Sequence, residues 1–121
     1  MFSLLESFSH AFKGLVYVFK SERNFRIQTL ASLITVCLAV YFPLKAWEII
    51  TLILLILLVM IMEIINTALE YFSDMMKPRL HHYVGVVKDM MAGGVLLSSI
   101  GSIAIGLIIF LPRLIDFFKS L

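Results

Sequence analysis

Four polar side chains stand at helical spacing beside a segment that is otherwise apolar. Glu63, Asn66, Glu70 and Asp74 are separated by three, four and four residues, so an α-helix places them on one face. They follow ITLILLILLVMIM, which holds no charged side chain. Ionisable groups in a membrane span are costly and generally mark a functional site. This face is therefore a candidate site. The alternatives are that Glu63 and Glu70 only pair with Lys or Arg to hold helices together, and that Asp74 is a solvated acid at the membrane surface.

Two further polar segments can meet this face at the predicted cytoplasmic ends of the helices. Glu22 lies in SERNFR, and Lys88 and Asp89 lie in VKDMM. Glu22 and Glu70, together with the oxygens of a polyphosphate, would suit Mg²⁺. Lys88 would add a point charge for a phosphate. We expect Lys88 and Asp89 to stand at a helix N-terminus, which favours anions. Glu63 lies deeper, and it would take a proton from a hydroxyl group brought along the bilayer.

These groups favour phosphoryl transfer to a lipid hydroxyl, although spacing alone leaves other functions open. Residues 14–21, GLVYVFKS, have Phe19 where a P-loop needs its second glycine, and the sequence has no protein-kinase signature. One alternative is a small proton-coupled transporter, which would move its substrate through Glu63 without ATP turnover. Another is a non-catalytic membrane scaffold, which would tolerate loss of the Glu63 carboxylate.

The composition indicates which kind of element positions these groups. Of the 121 residues, 61% are hydrophobic and 15% are charged, and the mean hydropathy of +1.03 is far above that of an ordinary soluble domain. We predict an all-α integral membrane protein with a single domain over residues 1–121. The net charge of +2 is too small to indicate a nucleic-acid partner. The single cysteine, Cys37, cannot form an intramolecular disulfide, and we expect it to serve in packing.

Periodicity predicts one surface helix and three membrane spans. Leu5, Phe8, Phe12, Leu15 and Phe19 share one helical face, which predicts an amphipathic helix over about 2–20 that lies in the membrane interface; the alternative is a soluble helix that packs on a partner. The spans are expected at about 25–42, 47–73 and 89–111, with the first ended by Pro43 and the third by Pro112. The short PLKA link makes the first two spans an antiparallel hairpin.

The placement of Lys and Arg predicts the orientation of the chain. The N-terminal arm and the link between the second and third spans are rich in these residues: Lys13, Lys20, Arg23 and Arg26 in the arm, and Lys77, Arg79 and Lys88 in the link. The positive-inside rule therefore places the N-terminus and this link in the cytoplasm and the C-terminus outside.

Small residues follow one face of the third predicted span. Gly94, Ser98, Ser102 and Gly106 are each four residues apart, and small residues let membrane helices approach closely. Because three spans make a thin bundle, we infer a homo-oligomer. Packing within one chain is an equal alternative for this stripe.

The chain resembles the prokaryotic diacylglycerol kinase family of small three-span membrane enzymes. The resemblance runs through AFKG, SERNFRIQ, EIINTALE and VKDMMAGGV to GLIIFLP, and its most specific part is E-x-x-N-T-A-x-E followed by K-D. ERNFRI and FLP are closer to the Gram-positive branch, whose members commonly phosphorylate undecaprenol. The resemblance implies a homotrimeric bundle with active sites between protomers at the cytoplasmic face of the bacterial plasma membrane, and MgATP as the phosphate donor.

The resemblance also implies roles for individual residues. Glu63 matches the general base, and Glu22 and Glu70 match the metal-binding carboxylates. Five positions fall in the family's nucleotide and phosphate site: Asn66, Lys88, Asp89, His81 and His10. The substrate contacts would come from Glu63, Lys13 and Arg26.

The chain departs from the family at several of these positions. The family often has tyrosine where this chain has His10, and EYH where it has Arg79, Leu80 and His81; in the family these positions touch adenine and ribose. We therefore expect a lipid kinase. Undecaprenol is the first choice of acceptor, and diacylglycerol is the alternative.

Overall fold

Four α-helices make up the part of the chain that the computed structural model describes, which is residues 3–76, 79 and 81–121. They are α1 (Leu4–Ser21), α2 (Arg23–Tyr41), α3 (Ala46–Met75) and α4 (His81–Lys119). The predicted all-α class is confirmed. Three segments are long and apolar enough to cross a membrane: Arg23–Tyr41, Ala46–Met75 and His82–Lys119. The chain is therefore a multi-pass membrane protein.

Helix α1 begins at a side-chain cap and carries a row of exposed apolar residues. The Ser3 hydroxyl accepts a hydrogen bond from the Glu6 backbone N–H at 3.2 Å, which satisfies one of the free donors at the start of the helix. Leu5, Phe8 and Phe12 are exposed in the chain. An apolar row of this kind suits a helix that lies in the membrane interface, and that location remains a prediction.

The α2–α3 hairpin turns over four residues. Phe42 takes an extended conformation before Pro43, because the proline ring disfavours helical geometry in the preceding residue. Helix α3 then starts with a reciprocal cap, in which the Lys45 backbone N–H donates to Glu48 Oε1 at 2.9 Å and the Glu48 N–H donates to the Lys45 carbonyl at 3.0 Å.

Helix α4 extends beyond the predicted third span at both ends. The expectation that Pro112 ends this helix is wrong, because Pro112 lies inside α4 and the helix continues to Lys119. Side chains after the proline explain the continuation. Arg113 donates to Ile109 O at 3.4 Å and to Glu48 Oε1 at 2.6 Å, and Phe117 packs edge-on against Phe42 with ring centroids 6.2 Å apart. Contacts with α2 and α3 thus outweigh the backbone hydrogen bond that proline removes.

The apolar core lies at this end of the molecule, which we call the core end. Phe42, Leu52, Ile109 and Phe110 form a buried cluster there. The Glu48–Arg113 ion pair lies beside it, with side chains 5% and 22% exposed. The core end therefore joins the α2–α3 hairpin to α4, and it leaves the other end of α3 for the polar groups.

Packing of α3 against α4 explains one member of the small-residue stripe. A Cβ added to Gly94 would lie 2.9 Å from Met62 Cε, whereas a Cβ added to Gly106 would meet nothing within 4 Å. Gly94 is thus small because α3 of the same chain approaches it. The intrachain alternative holds for this position.

Candidate active site

Glu63 is the most deeply buried carboxylate in the described part of the chain. Its residue is 1% exposed, and the neighbouring Thr67 is 2% exposed. The Thr67 hydroxyl donates to the Glu63 backbone carbonyl at 2.9 Å, so it leaves the carboxylate untouched. Glu63 Oε2 has no hydrogen-bond partner among the described residues. An unsatisfied buried oxygen costs about 1–3 kcal/mol, and more when it is charged, so this oxygen lowers the stability of the chain and is open to a further partner.

Glu22 occupies the single-residue joint between α1 and α2. It is extended, with φ −113° and ψ 114°, and its side chain makes no capping hydrogen bond to α2. Its backbone N–H donates to the Val18 carbonyl at 2.8 Å. The backbone of Glu22 is therefore held while its carboxylate stays available for other contacts.

Arg26 holds this joint together. Its guanidinium donates to the carbonyls of Phe19 at 3.0 Å and Lys20 at 2.8 Å, which are among the unsatisfied acceptors in the last turn of α1. The sequence indicated a substrate contact for Arg26. That contact stays a prediction, and in the structure Arg26 binds the end of α1 to the start of α2, beside Glu22.

Two carboxylates, those of Glu22 and Glu70, lie near Glu63. Both Glu22 and Glu70 lie close enough to Glu63 to act on its carboxyl through charge repulsion, and the Asn24 side chain lies beside the same carboxyl. Glu70 also accepts a hydrogen bond from Asn66 Nδ2 at 3.3 Å. The predicted grouping of Glu63, Asn66 and Glu70 is therefore present, and Glu22 joins it from the α1–α2 joint.

The donor set suits a cation that also binds a second group. Among the described residues, no three His, Cys, Asp or Glu side chains are arranged to hold a metal ion by themselves. Mg²⁺ is usually bound by one or two carboxylates plus phosphate oxygens and water. Glu22 and Glu70 could supply two such carboxylates, and a cation between them would offset the repulsion that they exert on Glu63.

Lys88 and Asp89 lie on α4, and their predicted place at a helix N-terminus is wrong. Helix α4 begins at His81, so both residues stand about two turns inside it, where the backbone N–H groups are bonded within the helix. Lys88 Nζ donates to Asp74 Oδ1 at 2.6 Å. This pair joins the end of α3 to α4, with side chains 32% and 54% exposed.

The remaining predicted contacts lie on exposed or undescribed parts of the chain. His10 and Lys13 are exposed on α1, Arg79 is exposed in the link, and Asp89 is exposed on α4. Leu80 and the side chain of His81 lie outside the described residues. The acidic residues thus lie together, whereas the described outer positions are on the exposed surface of the chain.

Sequence reasoning missed two groups that the fold adds to the site. One is Asn24, which lies two residues after Glu22. The other is the pair Tyr17 and Tyr71: Tyr17 Oη donates to Tyr71 Oη at 3.3 Å, and this hydrogen bond raises the pKa of Tyr17 above its ordinary value of 10.0. The Tyr17 hydroxyl therefore stays protonated at neutral pH. The sequence signal that could have identified Tyr71 was its place next to Glu70. The spacing of residues along α3 gave no sign that Tyr71 contacts α1.

An apolar groove of about 380 Å³ separates α1 from α3 beside the acidic residues. Small residues leave this space, namely Ala11 and Gly14 on α1 and Ala68 on α3, and Thr67 and the two tyrosines also line it. Because Thr67 is one turn from Glu63, the groove lies next to the buried carboxylate.

Fold and site together define a multi-pass helical membrane protein with an acidic site where one end of α3 meets the α1–α2 joint. The family model for prokaryotic diacylglycerol kinase matches residues 9–110. A diacylglycerol kinase from Synechocystis is 38% identical over 115 residues, which cover 94% of this chain and 66% of that protein. An undecaprenol kinase from Bacillus subtilis is 33% identical, covering 90% of this chain and 89% of the relative. A diacylglycerol kinase from Escherichia coli is 32% identical, covering 80% of each.

The chain belongs to the prokaryotic diacylglycerol kinase family. Its enzyme class is lipid kinase, which favours the kinase hypothesis over a transporter or a scaffold. The lipid named differs among these relatives.

Proposed function

We propose that this chain is an ATP-dependent lipid kinase that transfers the γ-phosphoryl group of MgATP to the hydroxyl group of a membrane lipid. The observation that carries the proposal is the buried Glu63 carboxyl, with an unpartnered oxygen and two acidic neighbours, in a member of a lipid kinase family. This arrangement supports proton abstraction close to a site for a cation and phosphates.

In the proposed reaction, Glu63 accepts the proton of the lipid hydroxyl. The hydroxyl oxygen attacks the γ-phosphorus in line, the bond to the β–γ bridging oxygen breaks, and ADP leaves. Burial of Glu63 supports this role because a desolvated carboxylate has fewer competing interactions with water. Asn24, which lies beside the same carboxyl, is assigned to orient it.

We assign the metal contacts to Glu22 and Glu70. Mg²⁺, when bound, neutralises charge on the phosphates. Asn66 supports the assignment, since its hydrogen bond holds Glu70 in a fixed direction. Lys88 is assigned to the phosphates. Its ion pair with Asp74 is partly exposed, and such pairs contribute at most about 1 kcal/mol, so a phosphate can compete for Lys88 at small cost.

The outer residues keep their expected roles as part of the proposal. His10, His81 and Asp89 are assigned to the nucleotide, and Lys13 to the lipid headgroup. The position of Arg26 supports an indirect part in substrate binding, because it secures the joint that carries Glu22.

Undecaprenol is our first choice of acceptor, and diacylglycerol is the alternative. ERNFRI and FLP favour the undecaprenol branch, but relatives with both names match the chain at similar identity. Both lipids present a primary hydroxyl group at the membrane surface.

We further propose a homotrimer in which α1 lies in the membrane interface and active sites form between protomers on the cytoplasmic side. Between 6% and 17% of the residues in the apolar window of each span are buried within the chain. The open surface that remains supports contacts with lipid and with other copies. The excess of Lys and Arg in the arm and in the second link supports a cytoplasmic N-terminus and an outer C-terminus.

The direct test is to supply the purified full chain in bilayers with γ-labelled ATP, Mg²⁺ and either undecaprenol or diacylglycerol. We expect labelled lipid phosphate from undecaprenol at the higher kcat/KM. A higher value with diacylglycerol would reverse the choice of acceptor. No labelled product from either lipid would contradict the proposal.

A further inference from the structure

The contact between Tyr17 and Tyr71 links α1 to α3 at the edge of the groove. The two hydroxyls are 3.3 Å apart, and the ring centroids are 5.9 Å apart with the planes tilted by 56°. Both residues are exposed, Tyr17 at 57% and Tyr71 at 45%. The core does not depend on this contact, so losing one hydroxyl should leave the fold intact.

Both tyrosines are directly connected to the proposed metal carboxylates. Tyr71 follows Glu70 in α3. Tyr17 precedes Val18, whose carbonyl accepts the backbone N–H of Glu22 at 2.8 Å. The tyrosine hydrogen bond therefore joins the turn that carries Glu70 to the turn that holds Glu22.

A contact with α3 is needed to set the orientation of α1, because the contact of α1 with α2 holds only one end of the helix. Arg26 fixes only the last turn of α1, through Phe19 and Lys20, and the joint beyond it is one extended residue. Towards α3, the small residues Ala11, Gly14 and Ala68 leave a groove instead of a tight contact. Val18, which is 8% exposed, also lines this groove, and the tyrosine pair makes the side-chain hydrogen bond that joins α1 to α3 within the described residues.

We propose that Tyr17 and Tyr71 are a positioning pair that holds α1 against α3 and so sets the separation of the Glu22 and Glu70 carboxylates. The inference rests on the proposed function, since it concerns the metal site assigned there. Neither tyrosine touches the reacting atoms. The pair acts on metal affinity, whereas the acceptor lipid and the proton transfer at Glu63 are unaffected.

The test compares Tyr17→Phe, Tyr71→Phe and the double variant, each as the full chain in bilayers. Phenylalanine keeps the ring contact and removes only the hydrogen bond. We expect each single change to raise the Mg²⁺ concentration for half-maximal rate by roughly two- to tenfold, the range of one net hydrogen bond. The Mg²⁺ concentration for half-maximal rate in the double variant should be no higher than in the more affected single variant, because both changes remove the same interaction.

Two further readouts separate positioning from a general structural role. The kcat at saturating Mg²⁺ and the KM for lipid should match those of the unchanged chain. The matched control is Tyr41→Phe, which makes the same change at the core end, where Tyr41 contacts Phe42 and Phe117; its Mg²⁺ requirement should stay unchanged.

A binding measurement keeps this inference independent of turnover. Mn²⁺ binding, followed by electron paramagnetic resonance with a non-hydrolysable ATP analogue, should weaken in both tyrosine variants by the same factor as the Mg²⁺ requirement rises. An active, Mn²⁺-binding chain whose tyrosine variants behave like the parent would overturn the positioning role alone. A parent chain that binds no Mn²⁺ would overturn both this role and the metal assignment.

Discussion

At the scale of single residues, the acidic site combines groups of two origins. Glu63, Asn66 and Glu70 lie on one helix, so the 3.6-residue period was enough to predict that they share a face. Asn24 and Tyr17 reach the site from other helices. Their contacts depend on how α1 and α2 pack against α3. The spacing of residues within one helix gives no information about that packing.

The two proposed metal carboxylates lead to a prediction at this scale. Glu22→Ala and Glu70→Ala should each raise the Mg²⁺ concentration for half-maximal rate by at least about tenfold, since a charged ligand contributes more than a neutral hydrogen bond. Titration of the initial rate with Mg²⁺ at saturating ATP and lipid measures this. The control is Glu6→Ala, which removes an exposed carboxylate from α1, the helix that ends just before Glu22. An unchanged Mg²⁺ requirement in both variants would remove the metal assignment.

At the scale of elements, the sequence predicted the helices well and both boundaries of α4 poorly. The hairpin turn followed from Phe42 and Pro43, because that effect is local. The end of α4 did not follow from Pro112. Contacts of Arg113 with Glu48 and of Phe117 with Phe42 extend the helix, and they join residues more than 60 positions apart, which local propensity does not register.

Close packing of α3 on α4 predicts different responses at two adjacent glycines. Gly94→Val should lower the free energy of unfolding relative to Gly93→Val by about 1 kcal/mol, the low end for overpacking, because an added Cβ meets Met62 Cε at 2.9 Å and this end of a flexible side chain can shift. Gly93→Val is the matched control, since nothing lies within 4 Å of an added Cβ there. Thermal unfolding of the purified chain in detergent compares them. Equal stability of the two variants would show that α4 does not approach α3 at Gly94.

At the scale of the whole molecule, the described chain has a polar end and an apolar core end. The acidic residues gather where α3 meets the α1–α2 joint, and the buried cluster of Phe42, Leu52, Ile109 and Phe110 lies at the opposite end. This division fits a protein that brings a lipid alcohol to a charged nucleotide at one membrane surface.

The proposed orientation can be measured on intact cells. After Cys37→Ser removes the only cysteine, Ser120→Cys should react with a membrane-impermeant maleimide added outside, and Ser9→Cys should react only after the membrane is permeabilised. The reason is the excess of Lys and Arg near the N-terminus. The reverse labelling pattern would place the acidic site on the outer side and away from cytoplasmic ATP.

The central claim is that the buried Glu63 carboxylate takes the proton of the lipid hydroxyl. The most direct test is the kcat of Glu63→Gln with saturating MgATP and lipid, in a variant whose oligomeric state and thermal stability match those of the parent chain. We expect a loss of at least about 100-fold, the lower end for removal of a general base. Turnover within a few-fold of the parent chain would contradict it.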